Sequence, residues 1–308
     1  MFSSLSKTRQ GELYEILALV IWSFFPVVTI LTLNSVPPLF TAALSILSAA
    51  IFFAVLITLR KEWSDIKNKS VWLDILLTTL FIGIIYYGLT FIGINNTTAG
   101  NASIISLSQV FFSMLFLRLW GKELLNSSHV IGAVLIVLGA FAILFQGTLE
   151  VNIGNLLILI ATLFTPIGNY FQQKARKQVS SIFIMFFRSL ISGLVLLALA
   201  FVYNIPPSIF ELKDSIIFIL MNGFFLLGLS KIFFIEAIHR IPITKALALG
   251  AIGPAITLVI AFFVLNEVPT IWQLVGFLPM LIGVLLLTDM RISFNKFRHN
   301  NDKYLINN

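Results

Sequence analysis

Residues 117–144, "LRLWGKELLNSSHVIGAVLIVLGAFAIL", align without a gap on residues 261–288, "AFFVLNEVPTIWQLVGFLPMLIGVLLLT", at an offset of 144. Glu123 falls on Glu267, Gly132 on Gly276 and Gly139 on Gly283. Each match alone is weak, because glycine is common in membrane helices. Three at one offset mark an internal repeat. Upstream the register changes by one residue: "VPPLF" (36–40) lies over "VSSIF" (179–183), and Gly11 over Gly154. The chain therefore divides into two halves, residues 1–149 and 150–308.

Composition says where such a repeat lives. Apolar residues make up 58% and charged residues 11% of the 308, with mean hydropathy +1.00, so the chain is an integral membrane protein. A bilayer core of about 30 Å needs roughly 20 apolar residues per helix. Ten stretches qualify: 13–33, 38–59, 72–94, 99–119, 128–146, 153–172, 182–203, 215–238, 244–265 and 270–289. A β-barrel is excluded because runs such as "VIGAVLIVLGAFAILF" do not alternate. The first run is as long as a full span and lacks a small-residue cleavage site, so it reads as a helix and not as a cleaved signal. With no cysteine, disulfides and thiolate chemistry are excluded.

Basic residues set the expected orientation. With the N-terminus in the cytoplasm, the cytoplasmic loops and ends collect nearly every Lys and Arg, Lys213 alone lies outside, and Arg188 and Lys231 fall within spans. That places the chain in the cell (cytoplasmic) membrane with both termini cytoplasmic. It also explains the formal charge of +7 without nucleic acid. Each half holds five helices, an odd number, so the second half is inverted relative to the first. The fold class is thus an all-α integral membrane protein with ten transmembrane helices as two inverted five-helix repeats. Inverted repeats give secondary transporters an inward-open and an outward-open state of similar energy; a duplicated membrane scaffold without transport is the plainer alternative.

The segment "ITKALALGAIGPAITLVIAFFVLNE" (243–267) resembles the repeat signature of EamA-type transporters of the drug/metabolite transporter superfamily, and "TAGNASIISLSQVFFSMLFLRLWGKE" (98–123) is its first-half counterpart. Val110 stands where the pattern prefers the proline that Pro254 supplies. Arg188 matches the arginine expected early in the second helix of a repeat, where the first half has Ser45. The resemblance implies cytoplasmic termini, a central cavity between the halves and transport of small metabolites, often amino acids or related compounds and often outward.

Candidate site residues follow from polarity inside spans. Ala102, Ser106, Gln109 and Ser113 share one face of the fourth helix, and Ala246, Gly250, Gly253 and Thr257 are their repeat mates. Such a stripe fits close helix packing, or a cavity wall on which Gln109 is the residue to bind cargo. Pro26, Pro166 and Pro254, with Gly250 and Gly253, are candidates for bending and gating. Trp22 could stack on an organic cargo or fill the core. Tyr87 and Thr90 put a phenol and a hydroxyl into the third helix, and Asn169 is a further candidate contact. Gln172 and Gln173 read as solvated at the interface.

The charges are the sharpest candidates. Arg188 lies about 9 Å and Lys231 about 12 Å into the membrane at 1.5 Å per residue. Each either snorkels, pairs within the protein or meets cargo. Lys231 occupies the repeat position of Tyr87. Glu236 is poorly placed for Lys231 but could serve Arg188, as could Asp74; both are also candidates for proton coupling. Glu123 and Glu267 read as structural. The histidines show no metal-ligand spacing, and no phosphate-cradling or cofactor motif is present. The expected function is a secondary transporter, not an enzyme, moving a small polar organic metabolite (amino acid-like or otherwise anion-bearing) by alternating access, in export or exchange. The alternative is a flippase for a lipid or lipid-linked headgroup.

Overall fold

A computed structural model of the chain describes residues 5–119, 127–147 and 150–288, and every regular element among them is helical. Among the described residues, nine helices are long and apolar enough to cross a bilayer: α1 (Lys7–Leu33), α2 (Pro38–Arg60), α3 (Lys69–Ile94), α4 (Ala99–Leu119), α5 (Ser127–Phe145), α6 (Ile153–Ala175), α7 (Ser181–Tyr203), α8 (Ile209–Ile238) and α9 (Lys245–Leu265). A shorter apolar helix, α10 (Ile271–Leu287), completes the ten. We call the side that carries the start of α1 the near face and the other the far face.

Local chemistry starts each helix where the apolar runs begin. Thr98, Asn152 and Ser180 accept from the amides of Asn101, Asn155 and Phe183, satisfying donors that a helix start leaves unpaired. Reciprocal capping boxes, Ser208 with Glu211 and Thr270 with Gln273, open α8 and α10. The first of these extends α8 to Ile209, six residues before the expected start at 215: the cap supports polar turns that apolar counting leaves out.

The two halves meet along α5 and α10. A methyl on Gly139 would come within 2.4 Å of the Gly276 carbonyl oxygen, and one on Gly283 within 2.6 Å of that of Gly132. Glycine is required here because the two backbones themselves are in contact. The pairs Gly132–Gly283 and Gly139–Gly276 exchange under the 144-residue offset, as a pseudo-two-fold axis demands. The remaining packing obeys the same operator: α1 on α8 answers α6 on α3, α2 on α8 answers α7 on α3, and α2 packs on α7.

Helix irregularities repeat too. α3 carries π-helical turns over Thr79–Tyr86 and α8 over Met221–Leu229. α4 breaks into arms Ala99–Ile105 and Ser108–Leu119, and the ninth span into Ile243–Gly250 and Gly253–Leu265. In the ninth span, Pro254 explains the break, since it sits in the first turn of the second arm without an amide to give. α4 breaks without proline. Ser106 turns its hydroxyl onto the Ala102 carbonyl at 2.7 Å, and Leu107, Gln109 and Val110 fall back on bonds three residues behind. The break at Phe24 in α1, followed by Pro26, has no counterpart: α6 runs uninterrupted through Pro166.

The operator fails most plainly at the arms of α4 and α9. At the far face the first arm of α4 packs on the second arm of α9. The mates of these arms, at the near face, make no comparable contact among the described residues; the second arm of α4 packs on α6 and the first arm of α9 on α1.

Candidate functional site

Five helices bring charged and aromatic side chains to the middle of the bundle. α1 supplies Glu15 and Trp22, α3 Tyr87, α6 Gln172, α7 Arg188 and α8 Lys231. Lys231 does not reach the near face: its Nζ sits 3.4 Å from the centroid of the Trp22 ring, a cation–π contact. Trp22 is itself stacked on Phe25 at 4.6 Å between centroids and 4° between planes. Arg188, 6% exposed, gives one Nη1 bond of 2.8 Å to Gln172 Oε1 and contacts Met185 Sδ at 3.2 Å through Nη2. Gly83 makes room for Ser192, on the same helix as Arg188: a methyl on Gly83 would meet the Ser192 Cβ at 2.6 Å. Arg188, Tyr87, Lys231 and Glu15 are linked by electrostatic interactions, Arg188 with both Tyr87 and Lys231, and Lys231 with Glu15. Neither cation has an ion pair within 4 Å among the described residues.

The acids expected to serve Arg188 are engaged elsewhere. Asp74, buried on α3, accepts from Lys174 at 3.0 Å, and Glu236 accepts from Arg240 at 2.6 Å, so neither pairs with Arg188. The reason is local: Lys174 and Arg240 are near-face residues within arm's length, and Arg240 is one helical turn from Glu236. Gln172, expected to be solvated at the interface, instead turns inward to hold the guanidinium. Glu15 escaped the sequence reading altogether. The signal is present in the sequence, an acid inside the apolar stretch 13–33.

Other candidates scatter. Thr90 is buried on α3 beside Tyr86 and Tyr87. Gln109 is half-buried just beyond the α4 break, and Asn169 is exposed on α6. Gly253 and Thr257 work in packing: Ser23 Oγ donates to the Gly253 carbonyl at 3.3 Å, and Thr257 Oγ1 to the Ser23 carbonyl at 2.9 Å, tying the breaks of α1 and α9 together. Pro26, Pro166 and Pro254 are all buried.

The far face above this cluster is closed by polar locks. Both carboxylate oxygens of Glu267 accept from the Ala99 amide, at 3.2 and 3.1 Å, at the start of α4. Burial holds the Glu267 carboxyl above its usual range, while the Ala99 and Gly100 amides pull the other way. Gln273 Nε2 donates to Asn101 Oδ1 at 3.0 Å and Thr98 Oγ1 at 3.1 Å. Glu123, the repeat mate of Glu267, lies outside the described residues. At the near face a polar cavity of about 290 Å³ opens between the ends of α2, α7 and α8, with Arg60, Arg176, Glu236 and His239 in its wall. An apolar crevice of about 340 Å³ between α9 and α10 lies on the far side, away from the charged cluster. No group of acids and histidines among the described residues could hold a metal ion.

The sequence profile of the EamA-like transporter family matches residues 9–145 and again 152–289. The chain belongs to the EamA-like transporter family. The double match places one family unit in each half of this EamA-like protein. An uncharacterized transporter of Methanothermobacter thermautotrophicus is 31% identical over 236 residues, covering 74% of this chain and 68% of that one. The uncharacterized transporter YoaV of Bacillus subtilis is 24% identical over 280 residues, covering 87% and 93%. A solved crystal structure superposes with a TM-score of 0.67 at 14% identity over 93% of this chain and 99% of that one, a likeness of fold alone.

Proposed function

We propose that this EamA-like transporter is a secondary transporter that carries a small polar organic metabolite across the cytoplasmic membrane by alternating access, in export or exchange, and that Lys231 and Arg188 receive an anionic group of the cargo. The observation that carries this reading is the convergence of two cations from different helices, α7 and α8, without an acid paired to either. Two like charges gathered in a low-dielectric bundle repel each other and lose hydration. An anion held between them offsets both costs. Arg188 has five N–H donors and spends two contacts on Gln172 and Met185, so it keeps donors for a carboxylate or phosphate.

The basic loops support a cytoplasmic near face. With that orientation, the locked far face and the separated near-face arms support an inward-facing state. Cargo would enter past the second arm of α4 and the first arm of α9. Reconstituted proteoliposomes test the assignment. Lys231→Met and Arg188→Met should each lower the affinity for an anionic cargo by about ten- to a hundred-fold, the range for a lost charge-assisted bond. Unchanged affinity in both variants would remove the anion site.

A further inference from the structure

The near-face cavity of about 290 Å³ has no part in the central cluster and is built from other residues. Its walls are Arg60 and Glu62 at the end of α2, Arg176 with the start of α7, and the last turns of α8. Side-chain bonds pin the first two walls together. Ser180 gives its amide to Asp65 Oδ2 at 2.9 Å and its hydroxyl to Glu62 Oε2 at 2.5 Å. Ser70 gives its hydroxyl to Gln178 Oε1 at 2.6 Å. His239 of α8 closes the third side, its Nε2 accepting from Arg176 at 2.7 Å. A guanidinium only donates, so this bond to a ring nitrogen leaves the Arg176 charge uncompensated.

The charges of the cavity call for an anion. Neither Arg60 nor Arg176 has an acid within ion-pair distance among the described residues. The two acids in the wall are engaged, Glu62 with Ser180 and Glu236 with Arg240. The helix start adds to this. The first bond along α7 runs from the Ile184 amide to the Ser180 carbonyl, and Ser180 Oγ caps the Phe183 amide. The amides of Ser181 and Ile182 therefore have no acceptor within the helix, and its positive end faces the same space. Two guanidinium forks beside a helix start suit the several oxygens of a phosphate.

Position points to the source of that phosphate. α8 packs on α2 as far as Leu229 and beyond it on α1, so the cavity sits where α2 and α8 part. Ile182, Ile232 and Ile235 make the rest of its lining apolar. Beside it, Leu59 and Trp63 are exposed. The Trp63 ring stands edge-on to Phe186 of α7, and its Nε1 donates to Thr58 Oγ1 at 3.1 Å. An exposed tryptophan at a span's end marks the membrane–water interface, the level at which lipid headgroups lie. Basic pockets between helix ends at this level hold acidic headgroups.

We propose that this cavity binds the phosphate of an anionic phospholipid from the leaflet adjoining the near face, held by Arg60 and Arg176. Arg188 lies seven residues past Ser181, roughly 10 Å further along α7, so the lipid site is separate from the proposed cargo site and does not depend on it.

The test uses the full-length protein purified in detergent and titrated with phosphatidylglycerol or phosphatidylcholine. Bound lipid is counted by native mass spectrometry, and the thermal unfolding midpoint is followed alongside. Phosphatidylglycerol should bind on the order of ten-fold more tightly than phosphatidylcholine and raise the midpoint further. Arg60→Gln and Arg176→Gln should each weaken phosphatidylglycerol about five- to thirty-fold. Their midpoints in phosphatidylcholine should match the parent, which shows that both variants are folded. Arg176→Lys keeps the charge and should lose less than Arg176→Gln. Lys67→Gln removes an exposed charge from the same loop, outside the cavity, and should leave the affinity unchanged. Equal affinity for the two lipids overturns the proposal. So does Lys67→Gln acting as strongly as Arg60→Gln, which would mean a diffuse basic surface and no built site. Glycerol phosphate or inorganic phosphate binding as tightly as the lipid also overturns it, by making the cavity a site for a soluble phosphate.

Discussion

α4 and α9 are repeat mates with breaks at matching positions, yet their two ends behave differently. At the far face their arms touch and are locked by Glu267 on the Ala99 amide and by Gln273 on Thr98 and Asn101. At the near face the equivalent arms pack on other helices. The main helix pairs obey the pseudo-two-fold, and the asymmetry is greatest where the arms of α4 and α9 meet or part. Two inverted repeats offer the same arm contact at either end, and among the described residues it is made at the far face alone.

The comparison breaks first under chemical labelling. The chain has no cysteine, so an introduced one is the only thiol. Ala102 and Ser113 lie on the same stripe of α4, one buried on the locked arm and one half-buried on the other. In the ligand-free protein, a water-soluble maleimide should modify Ser113→Cys on the order of a hundredfold faster than Ala102→Cys, the factor imposed by an opening that costs about 3 kcal/mol. Equal rates would mean that the two ends of α4 are equally open.

Much of this asymmetry's frame is legible in the sequence. Gly132, Gly139, Gly276 and Gly283 announce the repeat because a backbone contact tolerates nothing larger, and the contact obeys the offset that the letters show. The breaks are legible by half. Pro254 signals one, whereas Val110 conceals the other, which depends on a serine hydroxyl competing for a carbonyl. The site is legible as a set of polar letters but not as an arrangement. Lys231, Arg188, Trp22 and Tyr87 meet in the structure; Asn169 stays exposed and apart from them. Which helix face looks inward is set by contacts between helices, so Glu15 is not among the residues the sequence singles out and Gln172 reads as solvated although it holds Arg188.

A second intervention loosens the far face directly. Glu267→Ala leaves the Ala99 amide at the head of α4 without an acceptor, a lost cap that costs about 1–2 kcal/mol. Labelling of Ala102→Cys in that background should rise roughly five- to thirty-fold. Glu267→Gln keeps one carbonyl oxygen to accept an amide, so its labelling rate should stay close to that of the parent. If Ala and Gln behave alike, the lock works through charge and not through capping.

The smallest effect separates those two contributions without a mutation. Burial raises the Glu267 pKa in the locked state above the ordinary carboxylate value of 4.5, and the two amides only partly offset it. The sign follows from linkage. A group whose pKa is higher when locked than when solvated stabilises the locked state below its solvated value, and that stabilisation is lost as pH rises through the elevated one. The far face should therefore hold more tightly as pH falls from neutrality toward 4.5, and Ala102→Cys labelling, corrected for the thiolate fraction, should slow over that window. Glu267→Gln mimics the neutral carboxyl and should flatten the dependence, while the Ser113→Cys rate, on the unlocked arm, should show no Glu267-dependent change. A labelling rate at Ala102→Cys that rises as pH falls would mean that the ionised carboxylate, through its bonds to the amides, is the form that holds the face shut.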